Sequence, residues 1–222
     1  MCGICGFTGE IVNRNTDKQT VITRMADVIT HRGPDDCGYH VEDDIAMGFR
    51  RLSIIDLSEG HQPIYNEDKT MVLTFNGEIY NYRELREELI AKGHVFTTHS
   101  DSEVLIHGFE EWQEDLLNRL RGMFGFAIWN RVKKELFIAR DFFGIKPMHY
   151  AMVGDNFVYG SELKSILEFP VFEKKFNYRT LDNYLSFQYA VPPETFFEGV
   201  YCLMPAHYLW YCDGKITTTR YW

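Results

Sequence analysis

Apolar positions follow two rhythms along the chain. Short continuous or alternating apolar runs predict strands at residues 3–12, at 45–55 around GFRRLSIID, and at 71–75. Four more follow in close order, GFAIWN, ELFIAR, MHYAM and NFVYGS, with turns at 131–134 and 154–156. Between these lie helical spacings. Residues 20–30 place Val21, Ile22, Met25, Val28 and Ile29 on one face, and 82–92 turn Leu85, Leu89 and Ile90 inward, with Asn81 as cap and Gly93 as terminator. Ser100-Asp101-Ser102-Glu103 has the spacing of a capping box ahead of Val104, Leu105 and Phe109, and shorter helices are predicted at 162–167 and 181–187. HVFTTH reads as a short strand, Asn76-Gly77 as a sharp turn closing the 71–75 strand, and the last twenty-odd residues as a hairpin turning at Asp213-Gly214.

Strand runs flanked by helical segments at both sequence ends predict an α+β protein with two sheets face to face and helices outside them. No internal repeat, low-complexity tract or flexible linker divides the chain, so residues 1–222 are read as one domain, with a core over about 2–190 and a closing segment, 191–222. Phe124, Phe126, Trp129 and Phe137 are spaced as strand core, and no ligand is assigned to them.

Composition narrows the function. With 45% hydrophobic and 25% charged residues the chain is ordinary globular material, and no apolar run approaches the ~20 residues of a membrane helix. No basic stretch followed by an apolar one opens the sequence, so the expected compartment is the cytoplasm, where thiols stay reduced. A formal charge of −9 speaks against a nucleic-acid partner, and a small-molecule substrate is expected. Neither nucleic acid nor a membrane is expected among the partners. Five cysteines, Cys2, Cys5, Cys37, Cys202 and Cys212, form an odd set with only one C-x-x-C, so neither a disulfide framework nor a four-cysteine zinc site can be assembled. A redox C-x-x-C needs a strand before it, and only Met1 precedes Cys2. Cys5 then reads as a small buried apolar residue, and no metal is assigned.

Six spaced motifs give the chain a family likeness: Cys2 with Gly3-Ile4-Cys5-Gly6, HRGPD at 31–35, RLSIID at 51–56, FNGEIYN at 75–81, SDSEV at 100–104 and ARDFFGIKP at 139–147. Together, and in this order, they resemble the class II glutamine amidotransferases, which are N-terminal-nucleophile (Ntn) hydrolases, and among these the glutaminase half of asparagine synthetases. The resemblance implies a four-layer αββα sandwich of two stacked, mainly antiparallel sheets. It implies hydrolysis of L-glutamine to glutamate and ammonia through a Cys2 thioester. The alternatives are the amidotransferase half of a glucosamine-phosphate, purine or sugar-modifying synthase, or a silent binding module of the same fold.

The position of Cys2 suits that chemistry. Loss of Met1 leaves a free α-amine beside the thiol; at a pKa of about 7.7–8.0 it can take the proton of a thiol near 8.5, so one residue holds nucleophile and base. Attack on an amide places charge on its oxygen, and the resemblance assigns the waiting donors to the Asn76 side chain and the Gly77 N–H. It assigns the substrate carboxylate to Arg51, the ammonium to Glu78 and Asp101, and further pocket wall to Leu52, Ile54 and Ile55. Singly, each has a plainer role: Asn-Gly makes hairpins, an arginine is a surface charge, and Asp101 complements a helix dipole. Arg32 and Asp35 are expected to hold a loop near the site, with His31 structural.

Phe142, Phe143 and Ala206 depart from the pattern of the resembled family, where a small or polar residue or Arg follows the Asp and Pro-Gly-His stands near 206. No S-G-G-x-D pyrophosphate loop is present, so ATP and Mg²⁺ are expected to belong to a C-terminal synthetase domain in cis, with no cofactor on this domain. Homodimerisation of the full-length protein is left open.

Overall fold

The structure is a computed structural model and describes residues 1–11, 16–53 and 60–222. Twelve strands among them form two six-stranded sheets in which every recorded pairing is antiparallel. The first sheet holds β1 (Gly3–Thr8), β2 (Asp36–Glu42), β3 (Ile45–Arg51), β8 (His149–Val153), β9 (Asn156–Gly160) and β10 (Val200–Cys202), in the order β10-β8-β9-β1-β3-β2. The second holds β4 (Ile64–Tyr65), β5 (Met71–Ile79), β6 (Gly122–Asn130), β7 (Glu135–Arg140), β11 (His207–Cys212) and β12 (Lys215–Arg220), in the order β12-β11-β7-β6-β5-β4.

Strand alternation sorts the core into layers. Ile4, Met47 and Phe49 meet Val72, Ala127, Trp129 and Ile138 between the sheets. Cys5, Phe7 and Ala46 face the opposite way, under helix α1 (Lys18–Asp27) and helix α5 (Leu163–Leu167). Leu73, Phe75, Phe124, Phe126 and Phe137 cover the far side of the second sheet, beneath helices α2 (Tyr82–Ala91), α3 (Glu103–Trp112) and α4 (Leu116–Arg119). A further helix, α6 (Tyr178–Phe187), precedes the return of the chain into β10. The result is the expected αββα sandwich. Residues 191–222 supply β10 to one sheet and the β11–β12 hairpin, turning at Asp213-Gly214, to the other.

Several local expectations are corrected. Asn76-Gly77 makes no turn: β5 runs through it, with Asn76 opposite Gly125 and Gly77 opposite Phe124. Glycine is needed there for close approach, since a Cβ on Gly77 would lie 2.2 Å from the Met123 carbonyl. The 94–99 segment is no strand, because carboxylates take its amides: Val95 N–H donates to Glu67, and Thr97 and Thr98 N–H donate to Glu103. Glu103 therefore closes no box on Ser100; α3 starts after Ser102 without a side-chain cap. Asn81 precedes α2, but its side chain bridges Arg119 O and Arg121 N rather than capping. Helix α1 starts earlier than read, at Lys18, where Asp17 accepts from Thr20 N at 2.7 Å. Strand β2 carries mixed polarity and gave no clear period.

Ile90 is the other correction. It stands 51% exposed beside a fully buried Leu89, so the inward stripe of α2 is Leu85 and Leu89 alone. Leu89→Ala is expected to cost about 2–5 kcal/mol and Ile90→Ala less than about 0.5 kcal/mol. Urea midpoints at unchanged m-value check the pair; equal losses would contradict this orientation of α2.

Candidate active site

Cys2 enters at the start of β1 with a half-buried side chain packed against the layer between the sheets. Its sulfur accepts from Leu52 N–H at 3.4 Å and lies 3.8 Å from Leu52 O. Cys5, three residues on, faces the α1 side of the sheet, where burial pushes its thiol pKa far up. The two cysteines thus point to opposite faces of one strand and cannot share a metal or a disulfide. Cys5 is the buried apolar residue expected of it.

HRGPD forms the clamp around Cys2. Arg32 donates through Nε to the Cys2 carbonyl at 3.0 Å and through Nη1 to Glu162 at 3.0 Å. Glu162 also meets His31 at 2.9 Å and Lys164 at 3.1 Å. Burial would raise the Glu162 carboxyl, but Arg32, His31 and Lys164 outweigh it and hold the pKa at about 2. Gly33 lets the loop press on β3, since a Cβ would lie 2.4 Å from Arg50 C. Asp35 accepts from Ser53 N at 2.7 Å, which fixes the chain leaving β3. His31 and Asp35 hold the loop, and Arg32 holds the backbone of Cys2.

In front of the sulfur lies a cavity of about 210 Å³. Cys2, Arg51, Leu52, Gly77, Glu78 and Asp101 all line it. Ile54 and Ile55 lie outside the described residues. Asn76 sits in the strand between two lining residues and is itself buried, and its Nδ2 has no hydrogen-bond partner among the described residues. A buried amide donor left without an acceptor costs roughly 1–3 kcal/mol. Such a donor is in place for an oxygen that arrives with a ligand.

The lining of the cavity is electrostatically prepared. Asp101, half-buried, accepts from Ile79 N at 2.8 Å. Burial, joined by repulsion from Glu78, pushes its pKa up to about 6 despite that bond. Two carboxylates facing one cavity at this cost favour a cationic ligand group. Arg51, buried at the same cavity, supplies the opposite charge. An α-amino acid carries both complements.

Two residues escaped the sequence reading. Gln62 pairs with the main chain of Phe75 in both directions, Nε2 donating to O at 3.1 Å and Oε1 accepting from N at 2.6 Å, so it locks β5 just ahead of Asn76. Nothing in the local pattern marks it. Lys146, inside GIKP, is buried, which lowers its pKa, while the charges of Glu78 and Cys2 pull it the other way. Its place inside the ARDFFGIKP motif was the available signal.

Comparison with known proteins agrees with this geometry. The family model described as "Glutamine amidotransferase domain" matches residues 1–222. Asparagine synthetase [glutamine-hydrolyzing] 1 of Bacillus subtilis is 42% identical over the whole chain, which spans 35% of that relative. The putative asparagine synthetase of Mycobacterium tuberculosis is 41% identical over 90% of the chain and 33% of its own length. The Zea mays asparagine synthetase is 42% identical over 75% of the chain and 28% of its length. The chain thus spans about a third of these relatives. Among solved structures, a Bacillus subtilis glutamine phosphoribosylpyrophosphate amidotransferase superposes with TM-score 0.71 at 19% identity, over 99% of this chain and 49% of that one, which speaks to the fold. From Cys2 ahead of β1 to the hairpin that closes the second sheet, the chain belongs to the glutamine amidotransferase domain family.

Proposed function

We propose that this chain is the glutaminase half of an asparagine synthetase-type enzyme. Cys2, freed of Met1, attacks the side-chain amide of L-glutamine. Its α-amine takes the thiol proton and returns it to the departing ammonia, and the thioester then hydrolyses to glutamate. The observation that carries this reading is one cavity lined by a thiol, a buried arginine and a carboxylate pair. Asn76 Nδ2 and the Gly77 N–H receive the oxyanion, Arg51 the substrate carboxylate, and Glu78 and Asp101 the ammonium. Leu52 forms part of the pocket wall. This reaction uses no cofactor. ATP and Mg²⁺ serve the synthetase domain that makes up the rest of the relatives' length, and ammonia passes to an activated aspartate there. No helix among the described residues is long and apolar enough to cross a membrane, and the cytoplasm is the proposed compartment.

Intact mass with peptide mapping, after exposure to a glutamine-mimicking diazo-ketone, tests the reading directly. The expected result is loss of Met1 and one adduct on Cys2. Processed protein without an adduct would favour a silent binding module, and active protein still beginning Met-Cys would refute the role of the α-amine.

Removing the buried amide with Asn76→Ala is expected to lower kcat about 10²–10³-fold with a small change in KM, since the donor is engaged mainly in the transition state. A loss confined to KM would place Asn76 in ground-state binding instead.

The pH dependence has a definite sign. Because the Asp101 pKa is raised to about 6 in the free protein, the acid is increasingly protonated, and unable to hold an ammonium, as pH falls through that value. Glutamine binding to Cys2→Ala, measured by calorimetry, should weaken about tenfold from pH 7 to pH 5. Asp101→Asn should bind weakly at both pH values. A pH-independent affinity in Cys2→Ala would remove Asp101 from ammonium recognition.

A further inference from the structure

Away from the glutamine cavity, Glu67, His94, His107 and Glu110 bring one ligand atom each to within 4.8 Å of one another. They come from three places in the chain: the β4–β5 connection, the segment after α2, and two positions one turn apart on α3. We propose that these four residues form a divalent-cation site that selects Zn²⁺ and staples the connections around α2 and α3.

Spacing is the first argument. His107 Nδ1 lies 3.3 Å from Glu110 Oε2 and 3.4 Å from Glu67 Oε2, while His94 Nδ1 lies 3.5 Å from Glu67 Oε1 and 3.8 Å from Glu110 Oε2. Charge-assisted hydrogen bonds close to about 2.7–2.9 Å, so these are poor ion pairs. Bonds of about 2.0–2.2 Å in a tetrahedron set neighbouring ligand atoms about 3.3–3.6 Å apart; three of the four separations fall there, Glu67 meeting each histidine with a different oxygen, and one ligand atom from each residue lies within 4.8 Å of the others, so a small inward shift would close the shell. Two imidazoles and two carboxylates suit Zn²⁺ by ligand type.

The outer partners give the second argument. Both histidines turn Nδ1 to the shared centre and Nε2 to a second carboxylate, Glu103 at 3.4 Å from His107 and Glu111 at 3.6 Å from His94. That is the order of groups in a carboxylate–histidine–metal arrangement, at separations that would have to shorten for the outer acid to fix tautomer and ring orientation. Glu110 is oriented in turn, its Oε1 accepting from Asn66 Nδ2 at 2.7 Å, and Glu67 Oε1 accepts from Val95 N at 2.9 Å. His107 is buried, whereas the Glu67 side chain is 35% exposed and gives an ion a way in.

The site bears on the glutamine cavity through Glu103. Its two oxygens accept from Thr97 N and Thr98 N, and the chain then runs directly into His99, Ser100 and Asp101 on the cavity wall. A bound ion would fix His107, hence Glu103, hence the segment that carries Asp101. The cysteine pattern, on which no metal is assigned, carries no signal of this cluster, whose residues come from three segments of the chain.

The test is calorimetric titration of the purified, chelator-treated chain with Zn²⁺, repeated on Glu67→Gln and His94→Gln, which sit at the accessible side, with circular dichroism to confirm folding. One Zn²⁺ per chain in the parent, and no such uptake in either variant, is the expected result. Glu111→Gln should retain the site at about 10–100-fold lower affinity, and His61→Gln, in an exposed pair with Asp36 outside the cluster, should bind as the parent does. Absence of uptake in the parent, or uptake that survives Glu67→Gln or His94→Gln, would overturn the proposal and leave the cluster as ion pairs alone.

Discussion

The site depends on the bond from Arg32 to the carbonyl of Cys2. Cys2 stands just outside β1, and a residue not tied into a ladder has a backbone free to fray. Arg32 fixes that carbonyl from a different loop, and Glu162, from a third, compensates the guanidinium in a half-buried setting where an unpaired charge would be costly. Leu52 N–H completes the arrangement by meeting the sulfur itself. Three segments far apart in sequence thus converge on one residue, and each is held in place by the sheets behind it.

From that anchor the rest of the site follows as a matter of sheet geometry. β1 lies within the first sheet and β5 within the second, and the two approach across the shared apolar layer. Alternation along β5 sets Asn76 and Glu78 on one face, and Gly77 between them brings its backbone to the cavity, so an amide donor and an acid come from positions two apart on one strand. Asp101 joins them from outside the sheet, tied to Ile79 N. Charge groups of opposite sign are therefore carried by rigid strand ends and a single tethered loop.

Much of this was legible from periodicity. The antiparallel hairpins of the second half and the apolar face of α1 have strong local signals, and the structure contains them. Legibility failed where side chains took over the work of backbone. Asn76-Gly77 reads locally as a turn, yet pairing with β6 overrides that preference and uses the glycine for closeness. HVFTTH has strand composition, yet Glu67 and Glu103 capture its amides before another strand can. Gln62 shows no pattern because its role is defined only by the distant Phe75. The cavity residues were found by joint motif spacing, which encodes contacts that no short window contains; Lys146 was inside such a motif and still missed, because burial is not visible in a letter.

The Gln62 contact has one further consequence. β4 is only two residues long, so much of the outer edge of β5 would be open to strand addition by another molecule. By offering Phe75 one donor and one acceptor, the Gln62 amide imitates a peptide group and occupies that position of the ladder with a side chain. A side chain ends there, so no neighbour can extend the ladder through it. The residue that steadies the strand before Asn76 therefore also closes that position of the sheet edge to strand addition.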